Sequence, residues 1–173
     1  LMWTLEKKLL KRLNFSNYEH LDFACGTGRI LSVINSPRKT GIDISPSMIE
    51  VCRDKVKDAR LIVGDFRDNN LLKTKFDLIT AFRFLPNAES SLRNDAFAFF
   101  KKNLKEDGFL VFNNHRSFWS FSYIFFRFFG YESFREGMSH GEVLNLTREY
   151  GFKIIKIYSL GLIPQTDKKS ILP

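Results

Sequence analysis

The stretch Leu21-Asp22-Phe23-Ala24-Cys25-Gly26-Thr27-Gly28-Arg29-Ile30 constrains the fold more than any other part of the chain. A largely apolar run stops at two glycines, and apolar residues resume after them at helical spacing. Glycine adopts torsions closed to other residues and lets a ligand approach the main chain. A strand that bends on glycines into a helix is the opening of a βαβ unit, which requires a second, parallel strand beside the first.

The rest of the chain supplies such strands. Apolar or period-2 runs bounded by turn residues predict strands at His20–Cys25, Lys39–Ile44, Arg60–Gly64, Phe76–Phe82, Phe109–Asn114 and Phe152–Ser159. Helical patterns fall at Gly28–Ile34, Pro46–Val56, Ala88–Leu104 and Gly141–Tyr150, with a further helix expected within residues 1–19. Ser45 can cap the second of these, and Pro46 sits at its first helical position. Strands alternating with helices predict an α/β fold: a doubly wound, mostly parallel sheet with helices on both faces. With 173 residues and no low-complexity linker, a single domain over 1–173 is the economical reading.

Acids stand at three successive strand ends. Asp22 opens the glycine turn, Asp43 follows it by 21 positions, and Asp65 closes Val63-Gly64-Asp65-Phe66. An acid ending the second strand can accept hydrogen bonds from ribose hydroxyls, and one ending the third can take the exocyclic amine of adenine. A nicotinamide dinucleotide fits poorly. Its fingerprint wants a third glycine where this chain has Leu31, and Asp22 would repel a pyrophosphate at the helix N-terminus. Asp22 suits a cofactor that carries positive charge.

These motifs resemble those of class I S-adenosylmethionine-dependent methyltransferases. Asp22–Gly28, Gly41-Ile-Asp-Ile-Ser-Pro-Ser-Met48 and Gly64-Asp-Phe66 are similar to the first three motifs, Phe76–Phe82 to the fourth strand, and Leu104-Lys-Glu-Asp-Gly-Phe-Leu-Val-Phe112 to the turn and fifth strand. The resemblance covers about residues 20–160 and implies a Rossmann-like domain with S-adenosylmethionine as cofactor. It implies that Asp22, Ala24, Gly26 and Gly28 adjoin the methionine part of that cofactor and that Asp43 takes the ribose. Met48 would pack on the adenine, Asp65 with the Phe66 backbone would bind it, and Ile44 and Phe82 would be among the cofactor-binding residues. Ala24 replaces the usual first glycine. The family also ends in a hairpin with an antiparallel seventh strand, for which residues 160–173 show no pattern, so a truncated or short C-terminus is expected.

The acceptor would lie over the ends of the fourth and fifth strands. Methyl transfer needs proximity and alignment, with a base only where the nucleophile carries a proton. His115 is the candidate base, and Arg83, Asn87 and Arg116 are candidates to hold an acceptor phosphate or carboxylate. Between them and the last helix lies Phe118–Tyr131, in which nine of fourteen residues are aromatic. That segment predicts a lid-like insertion over 116–138, or a homodimer or membrane-surface contact; it is too short to span a bilayer, which takes about 20 apolar residues.

The net charge of +8 favours anionic partners, yet no run of Lys and Arg exceeds two residues. A small-molecule or lipid-linked acceptor is therefore preferred over RNA or another nucleic acid. A non-catalytic subunit retaining the fold is the alternative of another class. No metal is expected, since His20, His115 and His140 and the two cysteines, Cys25 and Cys52, lack ligand spacing. Two cysteines and no leader-like start suggest a cytoplasmic protein.

Overall fold

The structure, a computed structural model, describes residues 2–13, 15–114 and 137–158. Helix α1 spans Met2–Arg12, and strand β1 spans Glu19–Phe23. Then follow β2 (Arg38–Asp43), α2 (Pro46–Lys55), β3 (Ala59–Val63) and β4 (Phe76–Ala81). A 3-10 turn at Leu85–Asn87 leads to α3 (Ser90–Asn103), β5 (Leu104–Phe112) and α4 (His140–Glu149).

The five strands form one sheet in the order β3-β2-β1-β4-β5, and every pairing is parallel. The chain winds outward from β1 to β3, then crosses back to lay β4 on the other side of β1. A crevice opens beyond the carboxyl ends of the strands where the winding reverses, between β1 and β4.

Among the described residues, three apolar clusters hold helices to the sheet, one of them setting Ile49 and Cys52 of α2 against Cys25 and Leu31. On one face Leu21, Phe23, Ile79 and Ala81 pack with Phe97 and Phe100 of α3. The Phe23 ring lies 4.8 to 5.4 Å from those of Phe66, Phe84, Phe99 and Phe100. On the other face Leu78 meets Leu10 of α1, Ile30 and Ile34. Helix α2 begins as its sequence dictates, with Ser45 capping the Met48 N–H and Pro46 in the first turn.

Several expected elements differ. Gly28–Ile34 is not a regular helix but a succession of turns, tied by hydrogen bonds from Ser32 N to Gly28 O and from Ile34 N to Ile30 O. The left-handed Gly28, at φ +74°, cannot belong to an α-helix, and Pro37 lies close behind. The third helix starts at Ser90 rather than Ala88, because the 3-10 turn occupies the preceding residues. The Lys105–Gly108 stretch, expected as a turn, lies within β5; the register jumps from Phe76↔Leu104 to Leu78↔Phe109 to absorb it. Residues 152–158 were expected to be a strand, but among the described residues they pair with none; Ile154, Ile155 and Ile157 are exposed. His115, Arg116 and the aromatic segment 118–131 lie outside the described residues.

Candidate functional site

The glycine turn leaves β1 with left-handed torsions at alternate residues: Ala24 (φ +51°), Gly26 (φ +51°) and Gly28 (φ +74°). Ala24 adopts a conformation that costs an L-residue about 1 kcal/mol or more. The turn is pinned on both sides, since Cys25 N donates to Ile42 O at 2.9 Å and Gly26 N donates to Asp43 Oδ2 at 2.8 Å.

The two glycines serve different ends. A Cβ added to Gly26 would meet nothing within 4 Å, so its Cα faces open space at the crevice. A Cβ on Gly28 would stand 2.5 Å from Cys52 Sγ and 3.1 Å from Val56 Cγ2, so this position is required for α2 to close on the turn. Gly28 thus shapes the site from behind.

Asp43, ending β2, accepts from Gly26 N through one oxygen and from Ser45 N, at 2.9 Å, through the other. An ionised carboxylate offers about four lone-pair sites, so two remain. Beside it the apolar side chains of Ile44 and Met48 are 68% and 44% exposed. Ile44 lies just before the N-cap of α2 and Met48 in its first turn. Asp65 stands at the end of β3 and is clasped by Arg67, whose backbone N–H and Nε donate at 3.0 Å. The Arg67 guanidinium beside it holds the Asp65 carboxyl down at about 2. Phe66 turns into the aromatic core against Phe23, which leaves its main chain for a ligand.

Asp22 behaves differently from the other two acids. It is 1% exposed and lies under the turn rather than in the crevice. Its Cα partner across the β1–β4 pair is Thr80, whose hydroxyl donates to Asp22 Oδ1 at 2.7 Å. Thr80 Oγ1 also lies 2.7 Å from His20 Nε2. Asp22 Oδ2 and His20 Nδ1, both buried, have no partner. Burial pushes the Asp22 carboxyl up to about 7, against hydrogen bonds from Thr80 and the Leu31 N–H. Burial, then the nearby Lys39 ammonium, lowers His20 to about 3.

On the β4 side, Phe82 packs against the core that holds α1. Arg83 is left-handed (φ +65°), an uncommon torsion for a long side chain. Its N–H donates to Asn113 Oδ1 at 2.7 Å, and its carbonyl accepts from Asn87 Nδ2 at 2.6 Å. Asn113 Nδ2 in turn donates to the buried Glu6 of α1 at 2.9 Å. The Arg83 guanidinium is exposed and makes no hydrogen bond or ion pair with any described residue. Asn114 pairs with both main-chain groups of Met138, so the chain departs and returns at the end of β5.

The crevice therefore joins an open glycine face, an acid at the β2 end and an apolar shelf, at the point where the strand order reverses. The family model described as "Methyltransferase domain" matches residues 14–143. The chain belongs to the methyltransferase domain family. S-adenosylmethionine is the cofactor of the class. Over 66 residues the chain is 35% identical to trans-aconitate 2-methyltransferase of Escherichia coli O1:K1 / APEC, a match covering 35% of this chain and 26% of that one. Among solved structures, the S-adenosylmethionine-bound amino pentose methyltransferase of calicheamicin biosynthesis from Micromonospora echinaspora is 26% identical, with a TM-score of 0.55, covering 64% of this chain and 50% of that one. A TehB-like S-adenosylmethionine-dependent methyltransferase from Corynebacterium glutamicum shares the fold at 24% identity and TM-score 0.56, covering 84% and 71%. The matched part of the chain spans about a quarter of the length of the curated relative and half of the amino pentose enzyme.

The sequence had pointed to Gly26, Asp43, Ile44, Met48, Asp65 and Phe66, and the fold brings these to one end of the β1–β3 half. Arg83 and Asn87 come together at the end of β4. His20, Thr80 and Glu6 were not anticipated; only the placing of His20 two residues before Asp22, on one strand face, hinted at the first. No helix among the described residues is long and apolar enough to cross a membrane.

Proposed function

We propose that this domain transfers a methyl group from S-adenosylmethionine to a small or lipid-linked acceptor that carries an acidic group. The observation that carries the reading is the open face of Gly26 with Asp43 at its rim, at the strand-order reversal. When bound, S-adenosylmethionine supplies an electrophilic methyl on a sulfonium. Asp43 would accept the ribose hydroxyls through its remaining lone pairs, and Ile44 and Met48 would cover the adenine. Asp65 and the Phe66 main chain would receive the adenine edge, while Ala24, Gly26 and Gly28 set the turn beside the methionine part. Phe82 would close the crevice toward β4.

Arg83 is the acceptor-side anchor in this reading. Its main chain is fixed by Asn113 and Asn87, and its guanidinium is unspent among the described residues, as bidentate recognition of a carboxylate or phosphate requires. Asn87 and Arg116 would assist, and His115 would take a proton where the nucleophile carries one. The trans-aconitate relative supports an acidic acceptor.

The test is release of S-adenosylhomocysteine with trans-aconitate, an amino sugar and RNA as alternative acceptors. Turnover with the acid is expected, and Arg83→Ala should lower it about tenfold or more while donor affinity stays unchanged. RNA as the preferred acceptor would overturn the substrate class; failure to bind the donor would overturn the reading itself.

A further inference from the structure

We propose that His20, Thr80 and Asp22 form a buried proton-holding chain beneath the glycine turn, positioning residues that release one proton when a cationic donor occupies the crevice. The inference rests on the cofactor reading above and adds to it a linked ionisation.

The hydrogen count carries the argument. Thr80 has a single hydroxyl hydrogen, yet its oxygen stands 2.7 Å from both Asp22 Oδ1 and His20 Nε2. If Asp22 is ionised, Thr80 donates to it and His20 must donate from Nε2, which leaves Nδ1 bare. If Asp22 is protonated on Oδ1, it donates to Thr80, Thr80 donates to Nε2, and the His20 proton sits on Nδ1. The two forms have the same heavy-atom positions and opposite donor directions. Both terminal atoms, Asp22 Oδ2 and His20 Nδ1, are buried without a partner, and from outside the chain only the Leu31 N–H favours the ionised form. Interconversion balances simply. The Asp22 O–H bond breaks, each hydrogen moves one place along, and the proton displaced from the buried Nδ1 passes to a water that reaches it when this layer opens locally.

The surroundings place the balance near neutrality. Asp22 is pushed up to about 7 by burial, with Asp43 of β2 opposing its ionisation and the Thr80 hydroxyl and Leu31 N–H favouring it. The other titratable groups facing this layer are Lys39 of β2, which bears on His20, and the Cys25 and Cys52 thiols, which burial keeps protonated. None of them supplies a cation to Asp22. Four residues beyond Asp22, Gly26 opens onto the crevice. A donor there, whose sulfonium and ammonium outweigh its carboxylate, would stabilise the ionised Asp22.

The experiment is calorimetric titration of the chain with S-adenosylmethionine in buffers of differing ionisation enthalpy, which yields the protons exchanged per donor bound. Net release of a proton fraction per donor bound is expected near pH 7, and affinity should weaken severalfold, up to about tenfold, from pH 7 to pH 6. Asp22→Asn should abolish the release. Should that variant fail to fold, Thr80→Val removes a donor to the ionised form and should move the release to higher pH. Binding with no proton exchange, or release unchanged in these variants, would overturn the inference and leave the cofactor reading standing. Absence of binding at every pH would remove the cofactor reading, and this inference with it.

Discussion

The two halves of the sheet differ in emphasis near the crevice, although the Phe23 ring of β1 belongs to the same aromatic core as α3. From β1 to β3 the contacts near the crevice are made by small residues and main-chain hydrogen bonds: Gly28 against Cys52, Gly26 against Asp43, Cys25 against Ile42. From β4 to β5 the same level is filled by rings, with Phe97 set against Phe100, Phe112, Tyr150 and Phe152 at 5.7 to 6.0 Å. A ligand cradle must keep its shape when empty, which hydrogen-bonded turns do and a collapsible aromatic cluster does not. The aromatic half supplies bulk stability on which the cradle depends. The two halves should therefore fail in different ways.

Removing volume breaks the aromatic half. Phe97→Ala deletes a fully buried ring and should cost about 4 kcal/mol in denaturant unfolding, while the affinity of the remaining folded protein for S-adenosylmethionine stays within about twofold. Adding volume breaks the other half. Gly28→Ala places a methyl 2.5 Å from Cys52 Sγ at a left-handed residue and should cost about 3 kcal/mol, partly restored by Cys52→Ala. A donor affinity insensitive to Gly28→Ala would mean that the turn does not shape the cradle.

Asp43→Ala sharpens the contrast, since it removes a ligand contact and two ties of the turn together. Donor affinity should fall about 100-fold by calorimetry, with a smaller loss of stability. A matching fall of affinity in Phe97→Ala would erase the distinction between the halves.

A subtler prediction concerns pH and uses the layer shared by β1 and β4. Asp22 has its carboxyl raised from 3.8 to about 7, so the folded state holds the extra proton and stability declines as pH rises across that range. His20 is lowered from 6.5 to about 3, so the folded state lacks a proton and stability declines as pH falls across that range. The slopes oppose one another between about pH 4 and 6.5, and the wild type should show a plateau there. His20→Asn should unmask a decline toward pH 7, and Asp22→Asn a decline toward pH 4, both read from urea midpoints. Parallel profiles in the two variants would contradict the buried chain.

The smallest effect belongs to Ala24. Ala24→Gly relieves a left-handed alanine, partly offset by greater freedom of the unfolded chain, and should raise stability by less than about 1 kcal/mol with activity retained.

What could be read from the sequence follows the reach of each signal. Asp43 and its neighbours were legible because strand, acid, cap and helix follow one another within a few residues. The left-handed Gly28 obscured the end of the helical pattern at Gly28–Ile34, since hydrophobic spacing does not report torsion. Lys105–Gly108 has turn composition and nevertheless lies in β5, because Phe76 supplies a partner for Leu104. Residues 152–158 alternate like a strand, yet strand pairing requires a neighbour that no local pattern guarantees. His20 and Thr80 become a pair with Asp22 only through the β1–β4 register, which sets residues 58 and 60 positions apart within hydrogen-bonding distance. The left-handed Arg83 carries no signature in its own side chain.

The central claim is that the hydrogen-bonded half of the sheet holds the methyl donor. Amide hydrogen exchange with and without saturating S-adenosylmethionine tests it most directly. The expected result is slowed exchange at Cys25–Gly28 and Ile44–Met48, with β5 and α4 unchanged. Slowing confined to the groove of about 380 Å³ between Phe66–Leu72 and α3, or no slowing anywhere, would contradict it.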